Sequence, residues 1–210
     1  YNLMTTQFPP SDFDEWAVTY DRSTAGDTGF PFDGYSRVLK LIVDLAGAAP
    51  GADVLDLGIG TGNLALFFNA QGCGIWGIDF SPQMLALAKE KLPGAELACL
   101  DLRAPWPPSF EHRFHHIVSA YTFHHFPLDE KVILIRRLQE NVLRPGGNIV
   151  IGDIAFQDAA AEERLRRQLG EQWEQEFFWL ADDALAALTA AGINAAYTQV
   201  SSCAGIFAIK

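Results

Sequence analysis

The sequence predicts an α/β fold in which a mostly parallel sheet is covered by helices on both faces. Three observations carry this reading. From residue 53 onward, short apolar runs alternate with stretches of helical period. The first of these runs, V-L-D-L, leads through a turn with glycines at 58, 60 and 62 straight into a helix. The last two runs are separated only by residues around Ser202 to Ala204. A parallel pair needs a long crossover, so the chain should close on an antiparallel hairpin. Seven runs have strand character, which gives a seven-stranded sheet.

Ser11 to Ser23 has Phe13, Trp16 and Tyr20 at helical spacing, and Thr24 to Asp33 is a Gly- and Pro-rich loop. Gly34 to Ala48 is an amphipathic helix with Val38, Leu41, Ile42 and Leu45 on one stripe. Strands are expected at Val54 to Leu57, Gly74 to Ile78, Glu96 to Leu100, Ile117 to Tyr121 and Asn148 to Ile151. The helices between them are Gly62 to Ala70, Pro82 to Leu92 and Leu128 to Leu143, with Ser81 as N-cap before Pro82. The loop Ala104 to Pro108 and the turn Arg144-Pro145-Gly146-Gly147 punctuate the pattern. Helices at Ala159 to Glu176 and Ala181 to Ala191 precede the final strands, Ala195 to Ser201 and Gly205 to Ile209.

The 210 residues suit one domain, with no internal repeat. No apolar run approaches the roughly 20 residues of a membrane span, and Tyr1 to Pro10 lacks a secretory pattern. Met4 is the expected native start behind Tyr1 to Leu3. The net charge of −11 opposes nucleic acid and anionic membranes as partners. Arg164, Arg166 and Arg167 are interleaved with Glu162, Glu163 and Glu171, as on a solvated helix face. Cys73, Cys99 and Cys203 are odd in number and widely spaced, which fits a reducing cytoplasm better than a disulfide frame or a zinc site.

The glycine turn sits where open parallel sheets bind ligands, at a strand's carboxyl end. Its spacing is G-x-G-x-G, and Asn63 occupies the place where a dinucleotide fingerprint needs its third glycine. Asp56, two residues before the first glycine, disfavours a pyrophosphate and favours a cationic amine. Asp79 ends the second strand, 21 residues beyond Gly58, where a carboxylate can accept both ribose hydroxyls. Asp101 comes after the third strand, within reach of an adenine amine. Ammonium, ribose and adenine without phosphate describe S-adenosylmethionine.

With these motifs in order, the chain resembles the class I S-adenosylmethionine-dependent methyltransferases. V-L-D-L-G-I-G-T-G, G-I-D-F-S-P-Q-M-L, A-C-L-D-L, I-V-S-A-Y-T-F-H-H-F and L-R-P-G-G with N-I-V-I-G-D are similar to successive family motifs. F-D-E-W-A-V-T-Y-D resembles the cap helix of small bacterial members. The resemblance implies a Rossmann-like fold and one catalytic unit. Within it, residues 1–33 would be cap and loop, 34–155 the cofactor core, 156–180 a roof over the acceptor, and 181–210 the last helix and hairpin. It implies that Gly58, Gly60 and Gly62 wrap the methionine part, with Asp56 near its amino group. Asp79 would hold the ribose, and Asp101 with the Leu102 amide the adenine, beside Phe80 and Met84. On the cap helix, Tyr20 and Asp21 could close over the cofactor, Tyr20 either reaching the methionine carboxylate or packing beside Trp16.

The acceptor side is less marked. His124 and His125 come after the fourth strand at its carboxyl end, where a histidine can serve as general base or merely close a turn against Phe123 and Phe126. Asp153 ends the fifth strand and could orient an amine or hydroxyl. His115 and His116 enter the fourth strand at its far end and are expected in structural or surface roles, with His112 in the loop before it. Adjacent histidines without a further carboxylate pattern make a poor metal site, so no metal is expected. Phe156, Trp173, Phe177, Phe178 and Trp179 fall in the roof segment. The leading function is methyl transfer to a small molecule at an oxygen, nitrogen or sulfur. The alternative is a protein that senses S-adenosylmethionine without chemistry; a nicotinamide oxidoreductase is disfavoured by Asn63.

Overall fold

The computed structural model describes residues 21–24 and 26–210. The expected helix from Ser11, with Tyr20, lies outside the described residues except for its last positions, and residues 21–24 are helical. The helices are α1 (Tyr35–Ala46), α2 (Asn63–Ala70), α3 (Pro82–Lys91), α4 (Leu128–Arg137), α5 (Ala159–Leu169) and α6 (Ala181–Ala190). The strands are β1 (Asp53–Leu57), β2 (Gly74–Asp79), β3 (Glu96–Cys99), β4 (Phe114–Ala120), β5 (Leu143–Phe156), β6 (Trp179–Leu180), β7 (Ala195–Gln199) and β8 (Ala204–Ile209).

The sheet runs β3-β2-β1-β4-β5-β8-β7. Its first five members are parallel, whereas β8 runs antiparallel to β5 and β7 antiparallel to β8. The expected seven strands form this path, and β6 adds an eighth. That addition arises because β5 outruns its neighbours, and its last residues, Ala155 and Phe156, pair with Trp179 and Leu180. Winding reverses between β1 and β4, so their carboxyl ends flank the switch point at which α/β sheets bind ligands.

Alternate residues of each strand enter two different cores. Val54, Val118 and Val150 pack beneath α1 and α2 with Val38, Ile42, Leu64 and Phe68. Leu55, Ile117, Ile149 and Ile151 pack on the other face with Leu134, Leu138 and Leu188 of the α4 and α6 layer. The buried stripe of α1 is Tyr35, Val38, Leu39, Ile42, Val43 and Ala46. Leu45, expected inside, is exposed, because the helix turns its 35-38-39-42 line toward the sheet.

Three boundaries differ from expectation for identifiable reasons. Helix α4 ends at Arg137 and closes through a wider π-type turn, Leu138–Val142. Arg144 to Gly147 are taken into β5 as an irregularity, since pairing jumps from Phe114↔Leu143 to His116↔Asn148. The helix expected to reach Glu176 stops at Leu169, where Gly170 turns to φ 55 and ψ −119. No L side chain adopts that backbone readily. The chain beyond it is therefore released from the helix and returns toward the tip of β4. Helix α5 buries no residue, and Glu163 pairs with Arg166 and Arg167 along it, in agreement with the solvated face read from the charges.

Candidate active site

At the tip of β1 the chain leaves Leu57 and turns back. Gly58 and Ile59 donate their backbone N–H groups to the Ile78 carbonyl of β2, and Gly62 closes onto Ile59. Gly58, Gly60 and Gly62 all lie in the left-handed region, at φ 66, 53 and 88. Their missing side chains do different work. A Cβ on Gly58 would stand 2.1 Å from Thr122 Oγ1, and one on Gly62 3.0 Å from Leu92, so these two make room for the protein itself. A Cβ on Gly60 would meet only the Gly58 carbonyl, at 4.0 Å. Of the three, only Gly60 has open space where a Cβ would stand.

That space is a pocket lined by Tyr35, Asp56, Gly58, Ile59, Gly60, Thr61, Asn63, Leu64 and Ala120. Asp56 is 2 % exposed, and its Oδ2 is buried without a hydrogen-bond partner. Burial, and then the charge of Asp79, push its carboxyl well above the usual carboxylate range. Among the described residues, a buried acid in the wall of a pocket with an unanswered oxygen is the plainest request for a ligand donor.

Asp79 supports the turn from the next strand. One oxygen accepts from Gly60 N–H at 2.9 Å and the other from Ser81 N–H at 2.9 Å. Ser81 in turn caps α3 by accepting from Met84 N–H. Phe80 and Met84 lie just past the tip of β2, Met84 buried and Phe80 half-buried. Asp101 stands beyond β3 with its carboxylate held by Arg103 through two side-chain bonds of 3.1 and 2.7 Å. Burial acts to raise that carboxyl, but the Arg103 contacts outweigh it and hold it low. Leu102 is buried, and its carbonyl accepts from Trp106 and Arg137. Asp21 lies across the turn, accepting from Thr61 Oγ1 at 2.6 Å, Asn63 Nδ2 at 3.0 Å and Lys91 Nζ at 2.6 Å. Tyr20 lies outside the described residues.

The tip of β4 forms the other half. Tyr121 takes φ 55, a backbone strain of the kind that gathers at functional corners. It stacks on Tyr35 at 5.4 Å, and its hydroxyl is buried without a partner. His124 sits on a short turn, Phe123–His125, and its Nδ1 lies 2.6 Å from Asp153 Oδ1. Asp153 is fully buried and also accepts from Trp179 Nε1 at 3.0 Å and Ile154 N–H at 2.8 Å. Burial alone would lower His124 and raise Asp153; their attraction outweighs it and moves each the other way. With Asp153 ionised, Nδ1 is the donor in this bond, and the lone pair of the neutral ring is on Nε2.

Two residues join this group that the sequence did not indicate. Glu176, delivered by the break at Gly170, places Oε2 3.0 Å from His125 Nδ1 and 3.7 Å from His124 Nε2. It supplies the carboxylate that the adjacent histidines lacked. Lys131 is buried under Trp179, 4.1 Å from the ring, and donates to the Phe177 carbonyl. Burial draws its pKa down to about 8 against the pull of Asp153. A signal for Lys131 existed, since it falls on the same helical line as Leu134, Ile135 and Leu138. His115 and His116 are structural as expected: Asp53 N–H donates to His115 Nδ1, and His116 meets Asn148.

Comparison with known proteins decides the family. Residues 54–147 match the model described as a methyltransferase domain. An uncharacterized methyltransferase of Geobacillus kaustophilus is 38% identical over 177 residues, covering 81% of this chain and 77% of its own. The chain belongs to the class I S-adenosylmethionine-dependent methyltransferases. Among solved structures, the DhpI-SAM-HEP complex matches this methyltransferase with a TM-score of 0.71 at 22% identity, covering 95% of the chain and 94% of that one. The [4+2]-cyclase SpnF matches at 0.68 and 21%, covering 92% and 75%. At that distance both likenesses concern the fold alone. No helix among the described residues of the methyltransferase is long and apolar enough to cross a membrane.

Proposed function

We propose that this enzyme methylates a small molecule, with the cofactor's amino group answered by Asp56. The single observation that carries the cofactor assignment is the unpartnered Asp56 Oδ2 in the wall of the pocket beside Gly60. S-adenosylmethionine supplies a methyl group already activated on a cationic sulfur. Gly60 leaves room for its amino-acid part, and Asp79, which fixes the turn through Gly60 at the tip of β2, would accept the ribose hydroxyls. Phe80 and Met84 would flank the adenine near the Leu102 amide. Asp101 would share its carboxylate between the adenine amine and Arg103. Tyr20, outside the described residues, would reach the methionine carboxylate; it is next in sequence to Asp21, which accepts from Thr61 of the turn.

On the acceptor side, Asp153 orients His124, and the Nε2 lone pair is the basic atom available to a nucleophile that must lose a proton. His125 lies against it, with ring centroids 4.0 Å apart. The rest of the rate would come from alignment and exclusion of water. A small acceptor, and no nucleic acid or membrane partner, is supported by the net charge of −11 and by the pairing of α5's arginines with Glu163. The free state of Cys73, Cys99 and Cys203 supports a cytoplasmic setting. Release of S-adenosylhomocysteine across phenol, alcohol, thiol, amine and carboxylate acceptors tests the reading. Tight cofactor binding with turnover on none of them would instead favour a sensor.

For the cofactor, Asp79→Ala should weaken affinity by about 1–3 kcal/mol, the scale of hydrogen bonds involving a charged group; calorimetry showing no change would contradict the role. The raised Asp56 carboxyl gives a linkage with a definite sign. Without ligand the acid holds its proton to unusually high pH; a bound ammonium favours the carboxylate and lowers the pKa. Between those two values binding releases a proton, so affinity should rise with pH there. Above the unliganded value the dependence should vanish. Titration calorimetry in buffers of different ionisation heat would reveal the proton, and its absence in Asp56→Asn would assign it.

A further inference from the structure

We infer that His124 Nε2, His125 Nδ1 and Glu176 Oε2 form a three-ligand site for a divalent transition-metal ion of the zinc class. The inference deepens the acceptor-side reading and rests on it only for what the ion would do there.

The three donor atoms lie within 4.8 Å of one another. The Glu176 oxygen is 3.0 Å from the His125 nitrogen and 3.7 Å from that of His124. Ligands about 2.0–2.2 Å from a tetrahedral ion stand roughly 3.3–3.5 Å apart, so small side-chain adjustments would seat one. Two imidazoles and one carboxylate are the donor set of open, chemically active zinc sites. Such sites orient a ligating histidine by a carboxylate on its other nitrogen, and Asp153 does this to His124 at 2.6 Å. Asp153 is itself fixed by Trp179 and Ile154. Around His124 stand two carboxylates, Asp153 and Glu176, and one buried ammonium, that of Lys131, so the local balance favours a cation. The arrangement also accounts for the buried Glu176 oxygen, which makes no aligned hydrogen bond.

Three protein ligands leave a tetrahedral ion one position for water or for an oxygen or sulfur of the acceptor. With the ion bound, the Nε2 lone pair of His124 is a ligand and no longer a base. The acidity of a hydroxyl or thiol bound at the open position would then be raised by the ion. The geometry thus favours acceptors that react through oxygen or sulfur.

The test needs neither S-adenosylmethionine nor turnover. The full chain, stripped with chelator, is titrated with Co²⁺ and followed by its visible d–d bands, then with Zn²⁺ by equilibrium dialysis. The expected result is one ion per chain with a tetrahedral cobalt spectrum. The site should be lost in Glu176→Gln and His125→Ala, and weakened about 10–100-fold in Asp153→Asn. His112→Ala, remote from the cluster, should bind as the parent does. Circular dichroism and calorimetric affinity for S-adenosylmethionine confirm that each variant is folded. An ion bound equally by Glu176→Gln, or no stoichiometric ion in the parent, overturns the proposal. Either result leaves the cofactor reading intact, because that reading is judged by the separate S-adenosylmethionine titration.

Discussion

Asp153→Ala should lower the unfolding free energy by about 3–5 kcal/mol, the usual cost of removing one partner from a buried ion pair. Asp153 is fully buried, and His124 beside it is 7 % exposed, so solvent does little to soften the loss. The substitution strands three donors at once: His124 Nδ1, Trp179 Nε1 and the Ile154 N–H. It also leaves Lys131 with less negative charge to face. Urea denaturation at neutral pH should show a lower midpoint with an unchanged slope. Asp153→Asn, which keeps an acceptor of the same shape, should cost clearly less. A loss below about 1 kcal/mol for the alanine variant would mean that the pair is solvated, contrary to its burial here.

Gly58→Ala carries two penalties together. Holding an L residue near φ 66 costs about 1–2 kcal/mol, and forcing a methyl into Thr122 adds about 1–3 kcal/mol of overpacking. Thr122 cannot step aside freely, because its Oγ1 shares its one proton between the Leu57 and Ala120 carbonyls, each at 3.3 Å. A double-mutant cycle with Thr122→Ala should recover the overpacking and leave the backbone cost. Gly60→Ala makes the opposite case. It should lose only the backbone part in stability, since no atom lies in its way, yet impair cofactor binding more severely than its stability change suggests. Equal loss of affinity in both variants, in proportion to stability, would show that Gly60 does not face the ligand.

The features legible in the sequence were those that are local or periodic. The alternation of strand and helix, the closing hairpin, the N-cap at Ser81 and the acids at the strand tips all depend on neighbours in the chain. Asp153 and His124 were each legible as strand-tip residues, but their bond joins two strands and no spacing announces it. Glu176 was hidden for a different reason. Its position depends on Gly170, and a lone glycine after eleven helix-forming residues is compatible with continuation as well as with a break. The glycine turn was legible as a motif, but not the division of labour within it. That Gly58 spares room for Thr122 is a contact across 64 residues.

Gly170 has one more implication, for how such a protein diversifies. Helix α5 has no fully buried residue and rests on the core by Ala161 and Leu165. The segment from Glu171 to Phe178 docks by Trp173 and Phe178 on Phe30 and Phe156, by the Phe177 backbone on His124 and Lys131, and by Glu176 on the histidine turn. Mutation can therefore recolour this stretch without touching β1, β2 and β3, whose tips carry the proposed cofactor contacts. On the proposed acceptor side, selection for a new methyl recipient would find its raw material there first, with the donor side inherited unaltered.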